Sequence, residues 1–304
     1  MARTYLGLDL RSRQVGAVAL RRHGREATLT GGRIAALPEG VVVPSLRQQN
    51  VRDRGRLAAI LKDVLHPLAG SEERLALALP DAAGSLLLTE VEPPIRSKRE
   101  GEDVLRWQLR SRFGGDMSDL LLDFQVLEER EEGRQRVAVV VAARSVVAEY
   151  EELLAELGYH ALILDFHALQ LYNFYRPRLD LGSDTVMVAV EDGALSLQYF
   201  EGQKLAFQRC REIGVDLAEA YREINRSVVG GQESCPGLKR AQVFLHSDWA
   251  EVEPLRAMVR SIFDREPALL DPHVEKLAGA EIALGAARVR GLVAAIGAAE
   301  RLLP

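Results

Sequence analysis

Two short runs near the start of the chain alternate between chain-core and polar or small residues. Leu6, Leu8 and Leu10 alternate with Gly7 and Asp9, and after Arg11-Ser12-Arg13-Gln14 the residues Val15, Ala17 and Ala19 alternate with Gly16, Val18 and Leu20. A period of two is the mark of a strand, so the pair predicts a β-hairpin closed by the polar turn. A third strand is expected over 27–35, after the charged stretch 21–26. The period then changes: Leu57, Ile60, Leu61, Val64 and Leu65 fall on one face of an amphipathic helix over 56–68, expected to end at Pro67. Residues 74–144 return to alternation, with strands over 75–79, 85–91, 121–128 and 136–143. Between the pairs, Ser97 is placed to N-cap a helix through 112, on which Leu105, Leu109 and Phe113 recur every four residues. Strand pair, helix, strand pair predicts a small α+β module set into the chain.

Ser145 is expected to cap the next helix, which Gly158 would end in the left-handed C′ position, and 159–165 reads as a buried strand. Three strands follow over 185–190, 194–200 and 204–209, with Gly193 and Gly202 at their turns. Asp216 with Glu219 forms a capping box that opens a helix over 217–228. The segment 230–237 is glycine-rich, but it follows a helix and lacks a lysine-serine end, so it reads as a linker rather than a phosphate loop. A strand over 242–245 and helices over 252–263 and 281–303 complete the chain; Gly285, Gly291 and Gly297 among alanines let the last helix approach a sheet closely.

Composition narrows the partners. The 304 residues suffice for one large or two ordinary domains, and 47% hydrophobic with 27% charged residues is ordinary for a folded protein. Lys plus Arg (39) against Asp plus Glu (44) gives −5 with no basic block, which argues against nucleic acid as a partner. The start MARTYLG has no apolar signal core and no apolar run is long enough to span a bilayer, so the expectation is a cytoplasmic protein. Cys210, Cys235 and the six histidines show no ligand spacing, and no metal site is expected. His160 and His167 flank one strand and read as structural residues. Asp9 is the odd member of its strand, since a carboxylate is costly to bury unless it is paired; an exposed or capping role is the alternative.

The first hairpin, Leu6-Gly7-Leu8-Asp9-Leu10 followed by Ser12 and Val15, resembles the phosphate-gripping hairpin of the actin-like ATPase superfamily, in the form found in the PilM proteins of type IV pilus assembly. The order of ALP, a strand ending in Pro93-Pro94-Ile95, LDFQVLEE, VVVAARS, ELGYH and LDFHALQLYNF is similar to the subdomain inserted into the first lobe of those proteins, and Ala294 to Ala299 resembles their terminal segment. The phosphate motifs depart from the pattern. Arg11 stands where the pattern has glycine, and Gly16 where it has lysine. Val188-Ala189-Val190-Glu191 replaces a segment whose Asp and Gly hold metal-bound phosphates, Ile213-Gly214-Val215-Asp216 matches only in part, and His246-Ser247-Asp248-Trp249 stands where a glycine pair contacts the adenosine.

The resemblance implies a two-lobed actin-like (ribonuclease H-like) α/β fold, with 1–182 as first lobe, 74–144 as its inserted module and 183–304 as a shortened second lobe. It implies an adaptor in the inner-membrane platform of type IV pilus assembly, peripheral to that membrane and without ATP hydrolysis. Its expected partner is the cytoplasmic tail of a one-span membrane protein of the PilN type, with self-association as a further interaction. An active actin-like ATPase, a component of a related type II secretion system and a filament-forming relative are the alternatives. Asp9, Ser12, Arg13, Gly193 and Gly214 are the residues left to hold a residual nucleotide, ATP with Mg²⁺, weakly. Leu88, Trp107, Leu109, Phe113 and Phe124 are the candidates to line the partner groove near the module.

Overall fold

The computed structural model describes residues 3–23, 26–114, 116–130, 133–178, 184–278 and 289–304. Its first part opens with the expected hairpin, β1 (Thr4–Leu10) and β2 (Gln14–His23), extended by β3 (Glu26–Ala36). Helix α1 (Arg54–Ala69) then crosses to β4 (Arg74–Leu79), which lies parallel to β1. A third parallel strand, β8 (His160–Phe166), completes a five-stranded sheet in the order β3-β2-β1-β4-β8.

Between β4 and β8 the chain makes β5 (Gly84–Val91), α2 (Lys98–Leu109), β6 (Leu120–Glu129), β7 (Gln135–Ala143) and α3 (Arg144–Glu156). The first and the last two strands of this run form a separate antiparallel sheet, β5-β7-β6. The expected module boundary at residue 74 is therefore corrected. β4 belongs to the main sheet, and the inserted strands begin at Gly84.

After α4 (His167–Tyr175) the second part repeats the plan. Strands β9 (Asp184–Glu191), β10 (Ala194–Glu201) and β11 (Lys204–Arg211) form a meander, α5 (Leu217–Gln232) crosses to β12 (Gln242–Ser247), and α6 (Glu253–Phe263) leads to the short β13 (Ala268–Leu269). The order β11-β10-β9-β12-β13 reproduces that of the first sheet, again with an antiparallel meander followed by parallel strands. The short helix α7 (Val274–Leu277) and the last helix α8 (Val293–Glu300) finish the chain.

Helix α8 is buried along Val293–Ala299 and packs with α4 in an apolar cluster that also takes Met187 and Phe244 from the second sheet. A helix apolar all round belongs in such a place. Glycine sets its closeness to β1 and to α4. A Cβ at Gly7 would lie 2.0 Å from the Ala295 carbonyl oxygen, and one at Gly297 would lie 2.3 Å from that of Gln170.

Several expected boundaries move. Helix α1 passes Pro67 and ends at Ala69, because a proline in the last turn removes only one backbone bond and buried Ala69 anchors the end. Helix α2 does start on Ser97, whose hydroxyl accepts from the Glu100 N–H at 3.3 Å, but it ends at Leu109 rather than 112. Ser145 does not cap α3, which starts at Arg144 with no side-chain cap. The expected linker 230–237 is partly helical: α5 runs to Gln232, and Gly231 faces Leu238 and Phe207 too closely for a larger residue. Asp216 caps α5 as expected, accepting from the Ala218 and Glu219 N–H groups. The expected last helix overlaps residues 281–288, which lie outside the described residues, as does Gly285.

Candidate functional site

The repeated meanders aim the ends of their first strands at one another. Asp9 near the end of β1 and Glu191 at the end of β9 are both buried, as are Arg11, His167 and His246. Burial of that many ionisable groups is tolerable only if they pair, and they do. The Arg11 guanidinium reaches Asp248 Oδ2 at 2.9 Å, Glu191 Oε1 at 3.3 Å and Asp9 Oδ2 at 3.4 Å. It also donates to the Asp192 carbonyl at 3.2 Å.

His167, the first residue of α4, sits between the other two carboxylate oxygens. Its Nδ1 lies 2.8 Å from Asp9 Oδ1 and its Nε2 lies 2.5 Å from Glu191 Oε2. Burial alone would pull this imidazole down, but Asp9 and Glu191 outweigh it and raise the group well above its usual 6.5. With a buried carboxylate oxygen within reach of each ring nitrogen, the site fits an imidazolium, which has two N–H donors to offer. For Glu191 burial pushes the carboxyl up, but Arg11, His167 and His246 overcome it and hold the group well below the usual carboxylate range. Asp248 is raised, because burial there exceeds the pull of Arg11. The Tyr175 hydroxyl meets His246 Nδ1 at 2.8 Å, and His246 Nε2 stands 3.4 Å from Glu191 Oε1.

The candidate nucleotide residues gather around this cluster. Ser12 Oγ lies 3.5 Å from the Gly193 carbonyl, and Gly193 has φ +88°, the left-handed region that glycine favours. Arg13 is half exposed, 3.9 Å from Asp192. The Gly214 N–H donates to Glu219 at 3.2 Å, close to the Arg13 side chain. Asp9 differs from the rest, since it is enclosed between Arg11 and His167. The residues present do not fit a phosphate–metal group. Each carboxylate of the cluster already faces a cation, and Glu191 and Asp248 stand within a few ångströms of the Arg11 guanidinium, where they would repel a phosphate.

The sequence reading missed that His167, Arg11, Glu191 and Asp248 are partners. In the sequence each stands singly, as a structural residue or a departure from a phosphate motif. The available signal was the sign of the replacements, with a cation appearing in one motif and carboxylates in two others.

The candidate groove residues scatter. Leu109 and Phe113 are buried in the core of the first part, Trp107 is 73% exposed on the outer face of α2, and Leu88 and Phe124 are half-buried. Of the five, Phe124 alone lines the large cleft of about 1090 Å³ that runs between β6, β8, α4 and the β10–β11 pair.

No family model matches the chain. Its fold matches a chain of the PilM–PilN type IV pilus biogenesis complex over 98% of both chains, with a TM-score of 0.75 and 18% identity. The likeness to a Bacteroides thetaiotaomicron protein of actin-like ATPase fold and unknown function covers 90% of this chain and 94% of that one, at TM-score 0.55 and 12% identity. For the cytoplasmic domain of EpsL, an inner-membrane component of the type II secretion system of Vibrio cholerae, the coverage is 97% and 96%, the TM-score 0.50 and the identity 11%. The chain has the actin-like ATPase fold. Within that fold, the charge cluster occupies the meeting point of the two repeated meanders. Among the described residues no helix is long and apolar enough to cross a membrane.

Proposed function

We propose that the protein is an actin-fold adaptor of the inner-membrane platform of a type IV pilus, or of a related type II secretion machine, and that it does not hydrolyse ATP. On this reading residues 1–182 and 183–304 act as two lobes, and the protein sits in the cytoplasm, held at the membrane by its partner. The observation that carries the reading is the likeness over the whole length to a chain of the PilM–PilN complex. The charge cluster supports the absence of hydrolysis. Phosphoryl transfer rests on positioning and on cationic neutralisation of the phosphates, whereas here Arg11 and His167 are already neutralised by carboxylates.

The cleft supports the partner. Its walls include β8 and β6, each the last strand of its sheet, so an extended peptide can add main-chain hydrogen bonds there. Leu162, Leu164 and Phe124 supply apolar surface, and Gln198 Oε1 is buried at the wall with no hydrogen-bond partner. The occupant is the cytoplasmic N-terminal tail of a one-span, PilN-like membrane protein. The interaction is tested by capturing the cytoplasmic N-terminal tail of a PilN-type membrane protein on the full-length protein and on Leu162→Arg and Trp107→Ala. Loss with Leu162→Arg and retention with Trp107→Ala supports the cleft. The reverse moves the site to the outer face of α2, and no capture by the unaltered protein removes the adaptor role.

A further inference from the structure

We infer that the two halves of the fold are held closed by the chain's own cations, Arg11 and His167, which tie Asp9 to Glu191 and Asp248 without any ligand between the halves. Asp9, Arg11, His167 and Tyr175 come from β1, the turn after it and α4, and Glu191, His246 and Asp248 from β9, β12 and the residue that follows β12. Without the cations, Asp9 would face Glu191 and Asp248 as three like charges, and closure would be opposed. Two cations between them reverse the sign. Both are about 1% exposed, so water and salt do little to weaken the attraction.

The contacts that continue from the cluster run across the same seam. Tyr175 meets His246, and Tyr172 stacks on Phe200 with ring centres 4.2 Å apart and planes 13° apart. Further out, Arg136 donates to the Ala206 carbonyl at 2.8 Å and Lys204 pairs with Glu128 at 2.7 Å. Tyr172, Phe200 and Lys204 also line the large cleft, so closure at the cluster fixes the width of that cleft. Domain closure commonly needs a ligand that prefers the closed form. Here the differential interaction is written into the chain. The inference concerns closure alone and stands whether or not the cleft receives a membrane-protein tail.

The experiment is hydrogen exchange on the full-length protein, followed by mass spectrometry, with and without millimolar ATP and Mg²⁺. Protection across 166–175, 191–193 and 246–249 is expected to be the same in both conditions. Arg11→Met is expected to raise exchange in those three segments about tenfold or more while β7 and β10 keep their protection. Arg11→Lys, which keeps the charge but loses the planar fork, is expected to lie between. Protection that rises when ATP and Mg²⁺ are added to the unaltered protein would overturn the inference, and so would wild-type protection in Arg11→Met. If Arg11→Met does not fold, Asp248→Asn is read in the same way, because it removes one charge and keeps the shape. Raised exchange confined to the seam supports closure by the cluster, and unchanged exchange refutes it.

Discussion

Arg11→Met is the most informative perturbation of stability. The side chain is 1% exposed and faces three carboxylates at 2.9–3.4 Å, so its loss takes from Asp248 the cation at 2.9 Å and leaves Asp9 and Glu191 to His167. Breaking a buried ion pair from one side costs about 3–5 kcal/mol, against a usual total of about 5–15 kcal/mol. The sign of the pH dependence follows from Glu191. In the unaltered protein its folded pKa is lowered, so its contribution is present above the usual carboxylate pKa and is lost as pH falls through the folded value. Arg11 is the largest of the groups that lower it. Without Arg11 that contribution shrinks, so the variant's deficit is full at about pH 6 and above and shrinks as pH falls below about 4. Adding Asp248→Asn removes one stranded carboxylate and is expected to return about 1–2 kcal/mol, a coupling that distant sites would not show. Urea unfolding is followed by circular dichroism and by emission from Trp249, which is buried in the second half. A deficit under about 1 kcal/mol at pH 8 would put the cluster in the class of surface pairs. A deficit that grows as pH falls below about 4, or strict additivity with Asp248→Asn, would equally refute the reasoning.

Asp81→Asn tests a second ionisable group at the seam, whose carboxyl is enclosed although part of the residue reaches the surface. Burial pushes that carboxyl up to about 6, so stability from it is greatest at low pH and is lost as pH rises through 6. The amide is therefore expected to raise stability by about 1–3 kcal/mol at about pH 8 and to change little at about pH 4, read from thermal melts at both. Tyr175→Phe removes the hydroxyl that meets His246 at 2.8 Å and leaves a buried ring nitrogen unpaired, for a loss of about 1–3 kcal/mol in the same melts with no change in secondary structure. Gly7→Ala puts a methyl 2.0 Å from the Ala295 carbonyl and must displace α8 from β1; a loss of about 3 kcal/mol or more is expected, and a variant as stable as the parent would show that α8 is not seated as described.

The parts of the fold that were legible are those whose partner is close in sequence. The hairpin β1–β2, the meander β9–β10–β11 and the cap at Asp216 each announce themselves through period two or a local side-chain bond. β4 was assigned to the inserted module because RLALAL has the same pattern whether it pairs with a neighbour or, as found, with β1 and β8. Local periodicity does not name the pairing strand. Glycines 230 and 231 looked like a linker because glycine has low helix propensity, a preference that tertiary packing of Gly231 against Leu238 and Phe207 overrides.

The site was legible residue by residue and illegible as a unit. Arg11 and Asp192 are 181 positions apart, and Arg11 and Asp248 are 237 apart, so no local window holds both members of a pair. Taken singly, Arg11 only obstructs a phosphate and Glu191 only repels one. Taken together they carry opposite signs and meet at 3.3 Å with Asp248 beside them. That complementarity has an energetic reason. Replacing glycines by charges with no regard to one another would leave buried ions unpaired, each at a cost that a folded domain tolerates poorly. A cation set among carboxylates, with a second cation supplied by His167, keeps the closed arrangement affordable. Arg11, Glu191 and Asp248, drawn from separate segments, are thus one feature of the structure: an interior whose buried charges answer one another.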